Sequence, residues 1–256
     1  MLKNGFTKSV IVSALFASVS TASAYADHHG MTAHIAAAVA HKERPVTDSQ
    51  SDINRKPAEV LAFVGVQPGM TVVDINSGGG YYTELLSYAV GETGTVYAHN
   101  GPVYWDFVKT QVGERFNGRL PNVVQIHAGT ENVTVAPSSV DIALTTLAYH
   151  DYYFLPEGRT DYVDVPAVLA SIYNSLKTGG VLVVIDHVAP EGTGYEASNE
   201  THRIDPEYVK QQVEDAGFKL AATSDILSNA EDDHTTGVFD KSIRGKTDRF
   251  IYKFTK

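Results

Sequence analysis

Apolar and polar positions fall into blocks along most of the chain. From about Asn54 to Val66 the apolar residues Val60, Leu61, Phe63 and Val64 recur at helical spacing, and Gln67-Pro68-Gly69 ends the segment. Met70–Ile75 is short and apolar enough for a strand, and Tyr81–Val90 has the pattern of a helix. The alternation continues with a strand over Thr95–His99, a helix over Val103–Phe116 and strands over Asn122–His127 and Val140–Leu147. A helix over Val163–Leu176, a Lys177-Thr178-Gly179-Gly180 turn, a strand over Val181–His187 and a helix over Pro206–Ala216 follow. Two last strands, Lys219–Leu227 and Arg249–Thr255, are separated only by the polar connection Ser228 to Asp248. Strands alternating with helices predict an α/β fold, a doubly wound and mostly parallel sheet with right-handed crossovers. The final pair, with no helix between its strands, predicts an antiparallel hairpin at the C-terminus.

The first 26 residues stand apart from this pattern. Lys3 and Lys8 precede the apolar run Val10 to Val19, and Ala22-Ser23-Ala24 and Ala24-Tyr25-Ala26 each offer a small-x-small cleavage site. They predict a secretory signal peptide, hence export, to the periplasm in a bacterium. The apolar run is too short to favour a membrane span, so no stable membrane insertion is expected after cleavage. Residues 27–51 are polar, with His28, His29, His34 and His41, and predict a flexible leader carrying a short helix over Ile35 to Ala40. Residues 52–256 then form one folded domain.

Charge narrows the partners. The formal charge of −10 becomes −12 once the two lysines of the leader peptide are removed, which opposes binding to nucleic acid or anionic membrane. The absence of cysteine excludes disulfides, thiol chemistry and cysteine metal ligands. Oligomeric state is not legible.

In an open sheet of this kind ligands bind beyond the carboxyl ends of the strands. The first strand runs into Asp74-Ile75-Asn76-Ser77-Gly78-Gly79-Gly80, a turn in which glycines let backbone approach a ligand ahead of a helix start. The second ends at His99-Asn100, the third at Ala128-Gly129-Thr130-Glu131, the fourth at Ala148-Tyr149-His150-Asp151-Tyr152-Tyr153 and the fifth at Asp186-His187. Polar and aromatic groups therefore converge on one edge.

The stretch D-I-N-S-G-G-G-Y, with L-K-T-G-G-V-L-V-V-I-D-H later, resembles the class I S-adenosylmethionine-dependent methyltransferases. Y-H-D, H-R-I-D-P-E-Y-V and I-R-G-K-T-D-R-F look most similar to an exported, incompletely characterised bacterial branch of that superfamily. The resemblance covers about residues 50–256 and implies a Rossmann-like, seven-stranded sheet. It also implies S-adenosylmethionine as cofactor and methyl transfer to a small-molecule acceptor. By position, Asp74, Asn76, Ser77, Gly78, Gly80, Asn100 and Thr130 are the expected cofactor-binding residues. Asn76 stands where the family has a glycine, Asn100 where it has an acid gripping the ribose hydroxyls. No acid stands at Gly129 or Thr130, near the usual adenine contact.

Methyl transfer needs an acceptor held in line, and a base where that acceptor is protonated. His150 is the candidate base, since imidazole titrates near neutrality, and Asp151, Asp186 and His187 are candidate catalytic partners. Tyr149, Tyr152 and Tyr153, with His202 and Arg203, are the candidate substrate residues, an aromatic wall suited to a ring or a cation. Plainer readings stand beside these. His150 is also explicable as a hydrogen-bonded structural histidine, the tyrosines as core rim, and Asp205 before Pro206 as a helix cap. A second functional reading is a methyltransferase-fold binding module that has lost cofactor use, favoured by the neutral Asn100. A third is metal-assisted hydrolysis through His150, Asp151, Asp186 and His187, though no tight ligand spacing supports a metal site.

Overall fold

The computed structural model describes Met1, residues 26–133 and residues 135–256, so the expected signal segment lies almost wholly outside the described residues. Helices α1 (Ala26–Val39), α2 (Val46–Arg55) and α3 (Pro57–Val64) precede the first strand. Then come β1 (Thr71–Ile75), α4 (Tyr81–Val90), β2 (Thr95–Asn100), α5 (Pro102–Phe116), β3 (Val123–His127) and β4 (Val140–Thr146). The chain ends with α6 (Val165–Ser175), β5 (Leu176–His187), α7 (Ser198–Thr201), α8 (Pro206–Asp215), β6 (Lys219–Ser224) and β7 (Arg249–Thr255).

The seven strands lie in the order β3-β2-β1-β4-β5-β7-β6. The first five are mutually parallel, while β7 runs antiparallel between β5 and β6. The final pair is thus the expected antiparallel one, with its second strand inserted inward and β6 left at the edge. Strand order reverses between β1 and β4, so their carboxyl ends open the crevice in which such sheets bind ligands.

Alternation along the strands builds a core on each face. Val72 of β1 packs with Val60, Leu61, Leu85 and Leu86 of α3 and α4, whereas Val73 and Ile75 pack with Val168, Leu169 and Ile172 of α6. The expected turn at Lys177–Gly180 survives inside β5 as an irregularity: pairing jumps from Val140↔Leu176 to Ile142↔Val181.

The N-terminal region departs from expectation. The single helix expected over 54–66 is two, because Lys56 takes a left-handed conformation (φ 42°) and Pro57 restarts the helix. Residues 33–51, expected as a loose polar leader, pack on the sheet's helical layer: Ile35 and Ala38 are buried among Val60, Leu61 and Leu86. Helix α2 buries no residue fully and is held by charge instead. Asp52 takes a two-pronged ion pair from Arg44 and a hydrogen bond from Tyr81, and Asp48 pairs with Arg115 at 2.6 Å. Alternating small and polar residues concealed this attachment, since its anchors are salt bridges rather than an apolar stripe.

Candidate active site

The turn after β1 folds as its residues require. Asn76 is at φ 50°, Gly78 at φ 55° and Gly80 at φ 85°, the left-handed region that asparagine and glycine enter at least cost. A Cβ on Gly80 would meet Phe116 at 2.7 Å and Arg115 at 2.9 Å, so this glycine lets α5 pack close to the loop. A Cβ on Gly78 would meet nothing within 4 Å and would project into open space. That space is a polar cleft of about 350 Å³ walled by Ser77, Gly78, Gly79 and Tyr81 on one side and by Asp48, Ser51, Arg55 and Arg115 on the other.

Two expected cofactor residues turn out to serve the loop itself. Asp74 is buried and accepts a hydrogen bond from the Thr83 hydroxyl at 2.7 Å, tying β1 to α4. Burial pushes its carboxyl up to about 7, against the pull of those bonds from Thr83. Asn100 accepts from the Gly78 N–H at 3.0 Å and donates to Ser77 Oγ at 3.0 Å and to the Gly78 carbonyl at 3.1 Å. Its amide holds the glycine turn, and neither Asp74 nor Asn100 lines this cleft.

A second cavity, of about 720 Å³, adjoins the first and shares Asn76 and Tyr104 with it. Gly101, Gly129, Thr130 and Glu131 line one part, from the ends of β2 and β3; Glu131 supplies an acid after β3, one residue beyond the expected position. The other part is largely aromatic, with Phe107, Tyr152, Phe154 and Phe239, and Asp151 and His202 stand in its wall.

Behind that wall lies the most connected polar group of the site. His150 is buried and its Nδ1 meets Asp186 Oδ1 at 2.8 Å, while Asp186 Oδ2 accepts the His150 backbone N–H at 2.9 Å. Its Nε2 faces Asp151 Oδ1 at 3.3 Å and His202 Nδ1 at 3.3 Å, and Tyr104 donates its hydroxyl proton to Asp151 Oδ2. Burial alone would discharge this imidazole, but the flanking Asp186 and Asp151 carboxylates override it and push its pKa up to about 10. Burial likewise opposes the charge of Asp151, yet His150, His202 and Tyr104 together hold it well below the usual carboxylate range. Flanked by these carboxylates, His150 is biased toward the imidazolium, which makes it a poor base.

The remaining candidates divide. Asp151, His202 and Tyr152 line the large cavity, and His150 and Asp186 stand immediately behind it. Others are structural. His187 turns its Nδ1 to Thr247 at 2.6 Å, and burial together with neighbouring cations keeps it neutral. Arg203, expected at the substrate mouth, is completely buried; it grips Asp232 with both terminal nitrogens at 2.8 and 2.9 Å and donates to the Thr236 and Val188 carbonyls. Tyr149 is buried against Tyr152 and bonds Gln212, while Tyr153 stacks on Tyr195 at 4.6 Å. Asp205 caps α8 as its place before Pro206 predicts, accepting from Glu207 N–H at 2.9 Å. Tyr104, Phe107 and Phe239 line the cavity without being expected there, and Glu131, expected at the rim, was given no cofactor role. Glu131 was legible as the only acid following β3, and Tyr104 from its place in the first turn after β2; Phe239, within a long connection, carries no local signal.

No family model matches the chain. It is similar to the "Ubiquinone/menaquinone biosynthesis C-methyltransferase UbiE" of Shewanella sp. (strain ANA-3), 28% identical over 184 residues, covering 60% of this chain and 68% of that one. The protein of the same name from Pseudoalteromonas translucida is 30% identical over 134 residues, 52% of this chain and 49% of its own. Among solved structures, an S-adenosylmethionine-dependent methyltransferase from Aquifex aeolicus superposes with a TM-score of 0.58 at 20% identity, covering 83% of this chain and 98% of that one. Another from Mesorhizobium loti gives 0.56 at 14% identity, covering 80% and 100%. At these identities the structural likeness is one of fold.

Proposed function

We propose that this chain, which belongs to the class I S-adenosylmethionine-dependent methyltransferase superfamily, transfers a methyl group from that cofactor to a small acceptor with an apolar ring. The observation that carries the reading is the pair of joined cavities, one polar and one aromatic, meeting at Asn76 and Tyr104. The polar cleft offers Arg55 beside the Arg115–Asp48 ion pair, and exposed backbone at Gly78, which fits the charged amino-acid end of the cofactor. The part of the larger cavity beside Gly101, Thr130 and Glu131 fits its nucleoside end, with Glu131 available to an adenine or ribose donor.

The bound cofactor supplies an electrophilic methyl on a sulfonium; the chain's residues supply position. Phe107, Phe154 and Phe239 offer the acceptor apolar rings, Phe107 and Phe239 from the exposed rim, and Tyr152 bounds it on the buried side. The acidic Asp151, facing the cavity, attracts a donor group of the acceptor and orients it. The same proposal puts this activity in the periplasm; the support is the signal-peptide pattern of residues 1–26, Lys3 and Lys8 ahead of the apolar run Val10 to Val19.

A cofactor-free binding module is the second reading, favoured by one observation: Asn100, at the position of the ribose-gripping acid, is neutral and has both amide N–H donors and one acceptor site engaged with Ser77 and Gly78. Calorimetric titration with S-adenosylmethionine and S-adenosylhomocysteine separates the two. Saturable binding, lost at least tenfold in Gly78→Val, is expected; absence of binding at millimolar cofactor would overturn the methyltransferase reading in favour of the module.

A further inference from the structure

His150 Nε2, Asp151 Oδ1 and His202 Nδ1 form a triangle with edges of 3.3, 3.3 and 3.5 Å. As hydrogen bonds these edges are long, because charge-assisted bonds settle at about 2.7–2.9 Å. The same imidazole reaches 2.8 Å where it does make one, on its other nitrogen, to Asp186. Two ring nitrogens and a carboxylate oxygen that converge without closing on one another have the geometry of a set of ligands around a common centre. A tetrahedral ion with bonds of about 2.0–2.1 Å separates its ligand atoms by about 3.3–3.4 Å, which is this triangle. An octahedral ion at the same bond length would draw adjacent ligands to about 2.8–3.0 Å, and magnesium and calcium favour oxygen over imidazole.

The surroundings are those of a metal ligand set. A metal-bound histidine generally donates its remaining N–H to a carboxylate, fixing tautomer and ring orientation. Asp186, with a side chain 0% exposed, accepts from both the Nδ1–H and the backbone N–H of His150, which leaves Nε2 the only nitrogen free to ligate. Asp151 is held in the same way, its second oxygen taken by the Tyr104 hydroxyl. His202 is held in place by Phe154 and Phe239, with ring centroids at 4.6 and 4.9 Å. Among the described residues this is the one group of three or more histidine and acidic side chains whose ligand atoms converge in this way.

We propose that His150, Asp151 and His202 bind a zinc-class divalent ion, tetrahedral, whose fourth position opens to the aromatic cavity and takes an oxygen of the acceptor. Two of the three ligands line that cavity, so the free position is on the acceptor's side. The inference deepens the reading of that cavity as the acceptor site and rests on it only for the acceptor's part. With the ion in place, His150 anchors a Lewis acid, and an acceptor hydroxyl at the fourth position would release its proton more readily to water at the cavity's open side.

The test uses the full purified chain, stripped with a chelator and dialysed. Titration with Zn²⁺ is expected to give one ion per chain at micromolar affinity or tighter. Co²⁺ should give the intense visible bands of a tetrahedral site. His202→Ala and Asp151→Asn are each expected to weaken Zn²⁺ at least a hundredfold; both residues border the cavity, so the fold is retained and circular dichroism verifies it. Absence of Zn²⁺ binding overturns the proposal, and so does binding that survives both substitutions, which would lie elsewhere, as at His28, His29, His34 and His41. S-adenosylhomocysteine affinity, measured on the same samples, separates the two readings: a chain that binds zinc but no cofactor refutes the methyltransferase alone, and the converse refutes the metal site alone.

Discussion

Asp74 shows how far one position can sit from the role its motif suggests. It opens the glycine turn, yet its carboxyl lies buried against Thr83 and is pushed by burial from 3.8 up to about 7. A carboxyl that holds its proton more tightly when folded favours the fold at low pH, and that contribution is lost as pH rises through the folded value. The stability gap between Asp74→Asn and the parent chain should therefore widen in the mutant's favour from about pH 4 to about pH 7 and level off above. Chemical denaturation at four or five pH values measures it, and a pH-independent gap would contradict the assignment. Residue chemistry was legible where a side chain has one dominant use, as with Asp205 before Pro206. It misled where a partner distant in sequence consumes the group. Arg203 meets Asp232 across 29 positions, and Asn100 meets Ser77 and Gly78 across 23 and 22.

Elements were read well wherever hydrophobic period and turn residues agreed. Tyr81–Val90 and Arg249–Thr255 are observed with the bounds the pattern predicts, and five parallel strands followed by an antiparallel pair match the expectation. What escaped was the connection between β6 and β7, whose polar sequence has no period. The Arg203–Asp232 pair orders it from inside: Asp232 also accepts the Asp248 N–H at 2.6 Å, and Asp248 in turn binds His234 at 2.9 Å. Since Phe239 of this connection walls the large aromatic cavity proposed for the acceptor, Arg203→Met should act twice. Leaving Asp232 buried without its partner costs about 3–5 kcal/mol of stability. At temperatures where the mutant stays folded, acceptor KM should rise several-fold while S-adenosylmethionine affinity stays within about twofold. Equal losses on both ligands would mean that the connection does not shape the acceptor side alone.

At the scale of the molecule, the helices before β1 complete the site. Helix α1 contributes Ile35 and Ala38 to the core, and α2 brings Asp48 and Ser51 to the wall of the polar cleft. Removing residues 27–51 should lower stability by at least about 3 kcal/mol, from the buried isoleucine and the lost Arg115–Asp48 and Arg44–Asp52 contacts. Cofactor affinity should fall tenfold or more in the same variant, and thermal melts with calorimetry on the truncated chain check both. A truncation with unchanged melting and affinity would restore the picture of a dispensable leader.

The two cavities have Asn76 and Tyr104 in common, so neither can be filled without changing the boundary of the other. Thermodynamics then fixes a symmetry that needs no further structural detail. Whatever factor the demethylated cofactor adds to or subtracts from affinity for the methylated product, that product must impose on the demethylated cofactor in equal measure. Mutual tightening would make release of the spent pair the slow event of each turnover, whereas mutual weakening would make each product expel the other.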